Sequence, residues 1–287
     1  PSSHSQPITA PRHTPRGELL KIMQAEGVRQ MPLLDESGRV AGLMTLDELL
    51  PEEIQPIQAV IMAGGFGTRL HPLTDEQPKP MLPVGDRPLM ERTIEKLRQT
   101  GIRRVCIATH HLREKITEHF GDGRDFGVDL SYLSEERPLG TAGALGLMET
   151  PGEPILVING DILTQIDFRA MLAFHREAGA DLTVAVRQYD LQVPYGVIEC
   201  DGPRVTRVRE KPQLNFFVNA GIYLLEPSAL RLVPRQQRFD MTDLIELLLN
   251  QDRTVASFPV IEYWLDIGQP ADYTRAQEDV RSGEVKP

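Results

Sequence analysis

Cysteine is scarce: the 287 residues contain two, Cys106 and Cys200. Both fall in apolar, strand-like stretches, which argues against a disulfide framework and for a reduced, cytoplasmic compartment. No apolar run approaches the ~20 residues of a membrane span, and no secretory leader opens the chain, so no membrane partner is expected. Base is outnumbered, with 31 Lys and Arg against 41 Asp and Glu, for a net charge of −10. A broad nucleic-acid surface needs clustered base, so nucleic acid is not an expected partner; a local basic pocket for a nucleotide is still allowed. Internal repeats and low-complexity blocks are absent. The composition, 40% hydrophobic and 25% charged, is that of a soluble globular protein. The length suits two domains at ~150 residues each. The first residue is Pro1 rather than Met, which suggests a piece of something longer.

Residues 1–10, rich in Ser, Pro and His, read as a flexible lead. Leu19, Leu20, Ile22 and Met23 recur at helical spacing until Gly27 stops the helix. Two strands, 31–34 and 40–44, flank a turn at 35–38. Thr45 and Asp47 are positioned to cap a short helix, 47–50, that Pro51 ends. A helix, hairpin and helix of this size make little core alone. Residues 51–56 read as a linker between a first segment, 1–52, and a second, 57–287. The second alternates strands (59–62, 105–109, 130–133, 155–158, 181–186) with helices (89–99, 112–120, 141–148, 168–178). That alternation predicts a mostly parallel sheet covered on both faces. Strands dominate 195–225, predicting an antiparallel extension beside the sheet, followed by a helix over 241–250 and a strand over 254–260.

Residues 63–84 carry the most chemistry. After a buried strand, Ala63 is followed by Gly64, Gly65 and Gly67, whose backbone is free to turn its amides toward an anion. Thr68 supplies a hydroxyl, Arg69 a bidentate phosphate donor, and Lys79 a point charge pinned between Pro78 and Pro80. The spacing is neither the dinucleotide fingerprint, which wants glycine where Leu70 stands, nor a Walker A loop.

GGFGTRL followed by PKPMLPV resembles the signature of the sugar-1-phosphate nucleotidyltransferases. Further motifs agree in order: EERPLGTAGA (135–144), NGD (159–161), EKP (210–212), NAG (219–221), and WLD (264–266) with Gly268. The resemblance covers about 57–273 and implies a Rossmann-like three-layer α/β/α sandwich. The implied reaction is NTP plus sugar 1-phosphate giving NDP-sugar and pyrophosphate, with positioning and charge neutralisation supplying most of the acceleration. The ends of this chain carry no hexapeptide repeats, so no fused β-helix acyltransferase is expected in it.

By that resemblance Asp161 and Asp266 hold the catalytic Mg²⁺, and Arg69, Lys79 and Lys211 complete the catalytic set. Ala63, Gly64, Gly65, Gly67, Thr68, Arg69, Glu135, Gly140, Thr141 and Ala142 are the implied nucleotide contacts. Gly196, Glu210, Lys211, Asn219, Gly221 and Trp264 are the implied sugar contacts, with Trp264 either packing on the sugar or filling core. Glu135 stands where the family reads the base. A carboxylate only accepts, which suits guanine, whose N1–H and N2–H₂ are donors, better than uracil or thymine. GTP is therefore the expected donor, unless Glu135 points to solvent or Glu136 serves instead. Mannose, heptose or an amino sugar 1-phosphate is the acceptor class. The alternatives are uridylyl-, thymidylyl- or cytidylyltransfer to another phosphorylated alcohol, or a non-catalytic nucleotide sensor. His110 and His111 fall in no metal-binding spacing and read as a solvated helix start.

The first segment resembles a single CBS motif, on MPLLD (31–35) with Gly38 and on GLMT (42–45) with Asp47. Such motifs work in pairs and bind adenine nucleotides, which implies either a partner motif upstream or a homo-oligomer. In that family Thr45 and Asp47 contact phosphate and ribose; a small α+β segment that binds nothing fits the residues equally.

Overall fold

The chain divides into two compact units, Pro1–Glu53 and Ile54–Pro287. The structure is a computed structural model and describes residues 7–45 and 54–285. In the first unit, β1 (Ala10–Pro11), α1 (Arg16–Glu26), β2 (Gln30–Leu34) and β3 (Val40–Thr45) form a helix over a sheet of order β1-β2-β3. Leu19 and Met23, one turn apart on α1, bury against Ala10, Met31 and Leu33. Gly27 at φ 64° ends α1 in the left-handed conformation, its N–H bonding Met23 O. The expected helix over 47–50, with Asp47, and the start of the linker lie outside the described residues.

The second unit opens with β4 (Gln58–Ala63), then β5 (Pro83–Val84), β6 (Arg87–Pro88), α2 (Leu89–Gln99), β7 (Arg104–Thr109), α3 (Arg113–Phe120) and β8 (Asp129–Ser134). It continues with α4 (Gly140–Gly143), β9 (Ile155–Asn159), β10 (Ile162–Thr164), α5 (Phe168–Glu177), β11 (Leu182–Gln192), β12 (Val197–Asp201), β13 (Arg204–Arg209) and β14 (Gln213–Leu225). The last elements are α6 (Pro227–Leu230), α7 (Met241–Asn250), β15 (Val255–Pro259), β16 (Trp264–Asp266) and α8 (Pro270–Ser282). Seven strands form one sheet of order β15-β11-β14-β9-β4-β7-β8. Within it β14 runs against both its neighbours, β9 and β11, and the other pairs are parallel.

Alternation along the strands builds two cores. Ala59 and Ile61 of β4, Val105 and Ile107 of β7, and Leu156 and Ile158 of β9 face one side, against Met90, Ile94, Leu97, Phe120, Phe168 and Met171. Val60, Cys106, Ile155 and Val157 face the other, against Leu145, Leu230, Met241, Leu244 and Leu248. A strand that buries both its odd and its even residues needs helices on both faces, and this sandwich has them. Each fully buried Leu or Ile contributes about 1.5–3 kcal/mol.

Four features differ from the sequence reading. The antiparallel strand lies inside the sheet, between β9 and β11, while the β12–β13 hairpin stands apart from it. The 141–148 helix breaks into α4 and a 3₁₀ turn, Ala144–Leu147. Helix α8 and the small β10–β16 sheet were not foreseen. Cys106 and Cys200 both lie in strands, β7 and β12, in keeping with that reading; the first is buried, the second exposed, and both are free thiols. No helix among the described residues is long and apolar enough to cross a membrane.

Candidate nucleotide and metal site

The chain runs from β4 outward to β7 and β8, then returns to β9 on the other side of β4. The carboxyl ends of β4 and β9 therefore flank the switch point, where open α/β sheets bind ligands. β4 delivers Ala63 and the glycine loop; β9 delivers Asn159, Gly160 and Asp161. Gly160 donates to Met62 O at 2.8 Å. A Cβ on Gly160 would stand 2.7 Å from that oxygen and 3.0 Å from Pro80 Cγ. Only glycine allows this approach, which sets Asp161 beside the segment carrying Lys79.

Lys79 is 8% exposed, and its Nζ donates to Asp161 Oδ2 at 2.5 Å. Gly67 at φ 65° turns the loop over Thr74, whose hydroxyl donates to Gly67 O at 2.9 Å. Thr68 and Arg69 follow in a short 3₁₀ turn, both exposed. Asp266 ends β16 opposite Ile162 of β10, and Ile267 N donates to Asp161 O at 3.0 Å, so the two aspartates are neighbours. Burial pushes the Asp266 carboxyl up, and the negative charge of Asp161 adds to it against the pull of Lys79 and Arg69. Gly268 leaves room for both: a Cβ there would lie 3.4 Å from Arg69 Nη1 and 3.6 Å from Asp266 Oδ1.

Asp266 Oδ1 and Asn159 Oδ1 are buried acceptors with no hydrogen-bond partner among the described residues. A buried carboxylate oxygen without a donor, beside a second carboxylate, is what a bound cation would satisfy. Among the described residues no group of three or more His, Cys, Asp or Glu gathers around a point. Mg²⁺ does not need one, since it takes one or two carboxylates and completes its shell with water and phosphate. The donor set fits that ion.

On the base side, Glu135 is buried, whereas Glu136 is exposed. Glu135 Oε2 accepts from Leu139 N at 2.8 Å, and Oε1 lies 2.5 Å from where a Gly64 Cβ would be. Burial pushes its carboxyl up, against the Leu139 N–H that favours the anion. Gly140 at φ 85° starts α4, and Thr141 N donates to Asp240 Oδ1 at 2.8 Å. Ala142 N and Gly143 N both donate to Phe239 O, at 3.0 and 2.9 Å. The turn at 140–143 is thus docked on residues 239–240, which sequence reasoning did not single out. The signal was present as the Asp240/Asp243 capping box at the start of α7. A cleft of about 350 Å³ results, lined among others by Gly64, Phe66, Lys79, Glu135, Asp161 and Asp240. His110 and His111 are not merely a solvated helix start: both pack on Phe66.

On the acceptor side, Asn219 Oδ1 accepts from Gly221 N at 2.9 Å, and a Cβ on Gly221 would meet Asn159 Nδ2 at 2.7 Å. Trp264 is half-buried, packs on the main core and donates its Nε1 to Ala220 O at 2.8 Å. Gly221 therefore adjoins Asn159, two residues before Asp161, and Trp264 stands two residues before Asp266 on β16. Gly196, Glu210 and Lys211 lie elsewhere, where the β11–β14 ribbon meets the β12–β13 hairpin. There a Gly196 Cβ would be 3.1 Å from Glu210 Oε2, and Lys211 is exposed at φ 41°. Since β11 runs parallel to β4, that ribbon rises from the same carboxyl edge.

Residues 58–283 match the nucleotidyl transferase family, and residues 3–53 match the CBS domain. A mannose-1-phosphate guanyltransferase of Pichia angusta is 34% identical over 228 residues, 76% of this chain and 62% of its own length. A UTP–glucose-1-phosphate uridylyltransferase of Synechocystis is 33% identical over 251 residues, 80% of this chain and 65% of its own. The chain thus spans under two thirds of the length of these curated relatives. Among solved structures, HddC from Yersinia pseudotuberculosis complexed with GMP-PN superposes with a TM-score of 0.61 at 26% identity. That match covers 78% of this chain and 99% of that one. Together with the glycine loop and the aspartate pair at the switch point, these matches show that the chain belongs to the nucleotidyl transferase family.

Proposed function

We propose that the chain transfers a nucleotidyl group from an NTP, GTP foremost, to a sugar 1-phosphate in an Mg²⁺-dependent reaction that releases pyrophosphate. One observation carries the reading: Lys79, Asp161, Asp266 and the reach of Arg69 converge where the glycine loop leaves the sheet. Two polyanions must meet for this chemistry, so cations have to sit between them. The loop amides and Arg69 would bind the triphosphate, and Lys79 would offset charge at the α-phosphate. An oxygen of the sugar phosphate attacks the α-phosphorus, and the bond to the leaving pyrophosphate breaks. Asp161 and Asp266 would hold Mg²⁺, which when bound supplies further charge neutralisation. Asn219, Gly221 and Trp264 would border the acceptor from below, with Gly196, Glu210 and Lys211 above on the ribbon.

Leu139 N occupies Glu135 Oε2, and Glu135 Oε1 suits the donor edge of guanine. The names of the Pichia relative and of the HddC complex are consistent with a guanine nucleotide. Uridylyl transfer is the second reading. It is favoured by the single oxygen that Leu139 leaves uncommitted, enough for the one N–H of uracil, and by the name of the Synechocystis relative. The CBS segment would bind an adenine nucleotide when paired with a second copy. Pyrophosphate release from each NTP with a panel of sugar 1-phosphates tests the assignment. No release with any pair would end it, and GTP as the poorest donor would end the role given to Glu135.

A further inference from the structure

Phe66 is a large apolar side chain left 47% exposed in the middle of the glycine loop, and it lines the same cleft as Glu135. Two imidazoles brace it. His110 meets it edge-on at 5.4 Å between centroids, and His111 lies at 5.3 Å with planes 44° apart. His110 is itself tied to the base side, its Nδ1 lying 2.8 Å from Glu135 O. A carbonyl only accepts, so that nitrogen carries the proton. Between Phe66 and Glu135 the chain is bare: Gly64 has no side chain, and a Cβ on Gly65 would meet nothing within 4 Å. An aromatic held stiffly, open to a cleft and next to an edge-reading carboxylate, has the attributes of a base platform.

We propose that Phe66 stacks on the nucleobase, reading its face while Glu135 reads its edge. This rests on the reading of the cleft as an NTP site. The face contact is available to every base and grows with its area, so Phe66 contributes affinity for all NTPs and most for purines. Gly67 and Thr68, farther along the loop, are left to the phosphates.

The test is calorimetric binding of GTP, UTP and inorganic tripolyphosphate, each with Mg²⁺, to the full chain and to F66A, F66L and F66W. F66A is expected to weaken GTP about 10- to 100-fold and UTP less. Tripolyphosphate, which has phosphates and no base, is expected to bind as to the unaltered protein. F66L should behave as F66A, and F66W should restore GTP binding. Equal losses for GTP and tripolyphosphate would show that Phe66 only shapes the loop and would overturn the proposal, as would GTP binding undiminished in F66A. An unaltered chain that binds no NTP would overturn the functional reading, and this proposal with it.

Discussion

Lys79 Nζ and Asp161 Oδ2 are 2.5 Å apart, with only 10% and 25% of the two side chains exposed. The pair joins segments 82 residues apart in sequence, and its anion is one of the two proposed Mg²⁺ ligands. Lys79 therefore neutralises carboxylate charge that a bound divalent ion would share. Removing it leaves Asp161 and Asp266 facing each other with one cation fewer, an arrangement whose repulsion added Mg²⁺ should relieve. Lys79→Ala is expected to lose pyrophosphate-release activity by at least about 100-fold. Its melting temperature should rise more on adding Mg²⁺ than that of the unaltered chain. Asp161→Asn should lose activity similarly, with a smaller Mg²⁺ response. Equal Mg²⁺ responses in all three proteins would exclude a shared ion at these carboxylates.

Gly64→Ala should act through Glu135. The new methyl would stand 2.5 Å from Oε1 and 3.2 Å from Cδ, so the carboxylate must leave Leu139 N. A buried donor left unpaired costs about 1–3 kcal/mol. Shortening the neighbour makes room, so Gly64→Ala is expected to destabilise the protein by about that amount alone and by clearly less in an Glu135→Ala background. Urea unfolding of the two single variants and the double variant measures the coupling; strict additivity would mean the loop moves instead.

What was legible in the sequence was local. Gly67, at φ 65°, is required by the turn of its own loop, and the strand–helix alternation announces the layers. Gly64 and Gly160, by contrast, are required by close approaches to Glu135 and to Met62 O that are far off in sequence. What stayed hidden depends on partners far along the chain. Thr141 meets Asp240 across 99 residues, and β14 enters the sheet between strands that precede it by many residues. Helix α8 escaped for another reason: Ala276 is its only buried residue, so it shows little apolar period, although Pro270 and the Gln269/Asp272 capping box marked its start. The imidazoles on Phe66 were invisible because two adjacent histidines say nothing about the loop of a neighbouring strand.

Acid should destabilise the sandwich through His175. Its ring is 1% exposed, with Nδ1 2.7 Å from Thr183 Oγ1 and Nε2 3.3 Å from Glu226 Oε1. Burial holds its pKa below the usual 6.5 with help from Arg176, while Glu226 and Asp181 pull the other way. A lowered folded-state pKa means the unfolded chain takes up a proton that the native state refuses. The stability tied to His175 is therefore fully present above about pH 6.5 and is lost as pH falls toward the folded-state value. The slope from this one proton is at most about 1.4 kcal/mol per pH unit. Carboxylates also titrate at lower pH, so the readout is the difference between the unaltered chain and His175→Gln, whose side chain still bonds Thr183 and does not charge. Denaturant unfolding at steps from pH 7.5 to 5 is expected to show the unaltered chain losing stability faster from about pH 6.5 downward. Parallel curves over that range would mean that Glu226 stabilises the imidazolium well enough to cancel the burial.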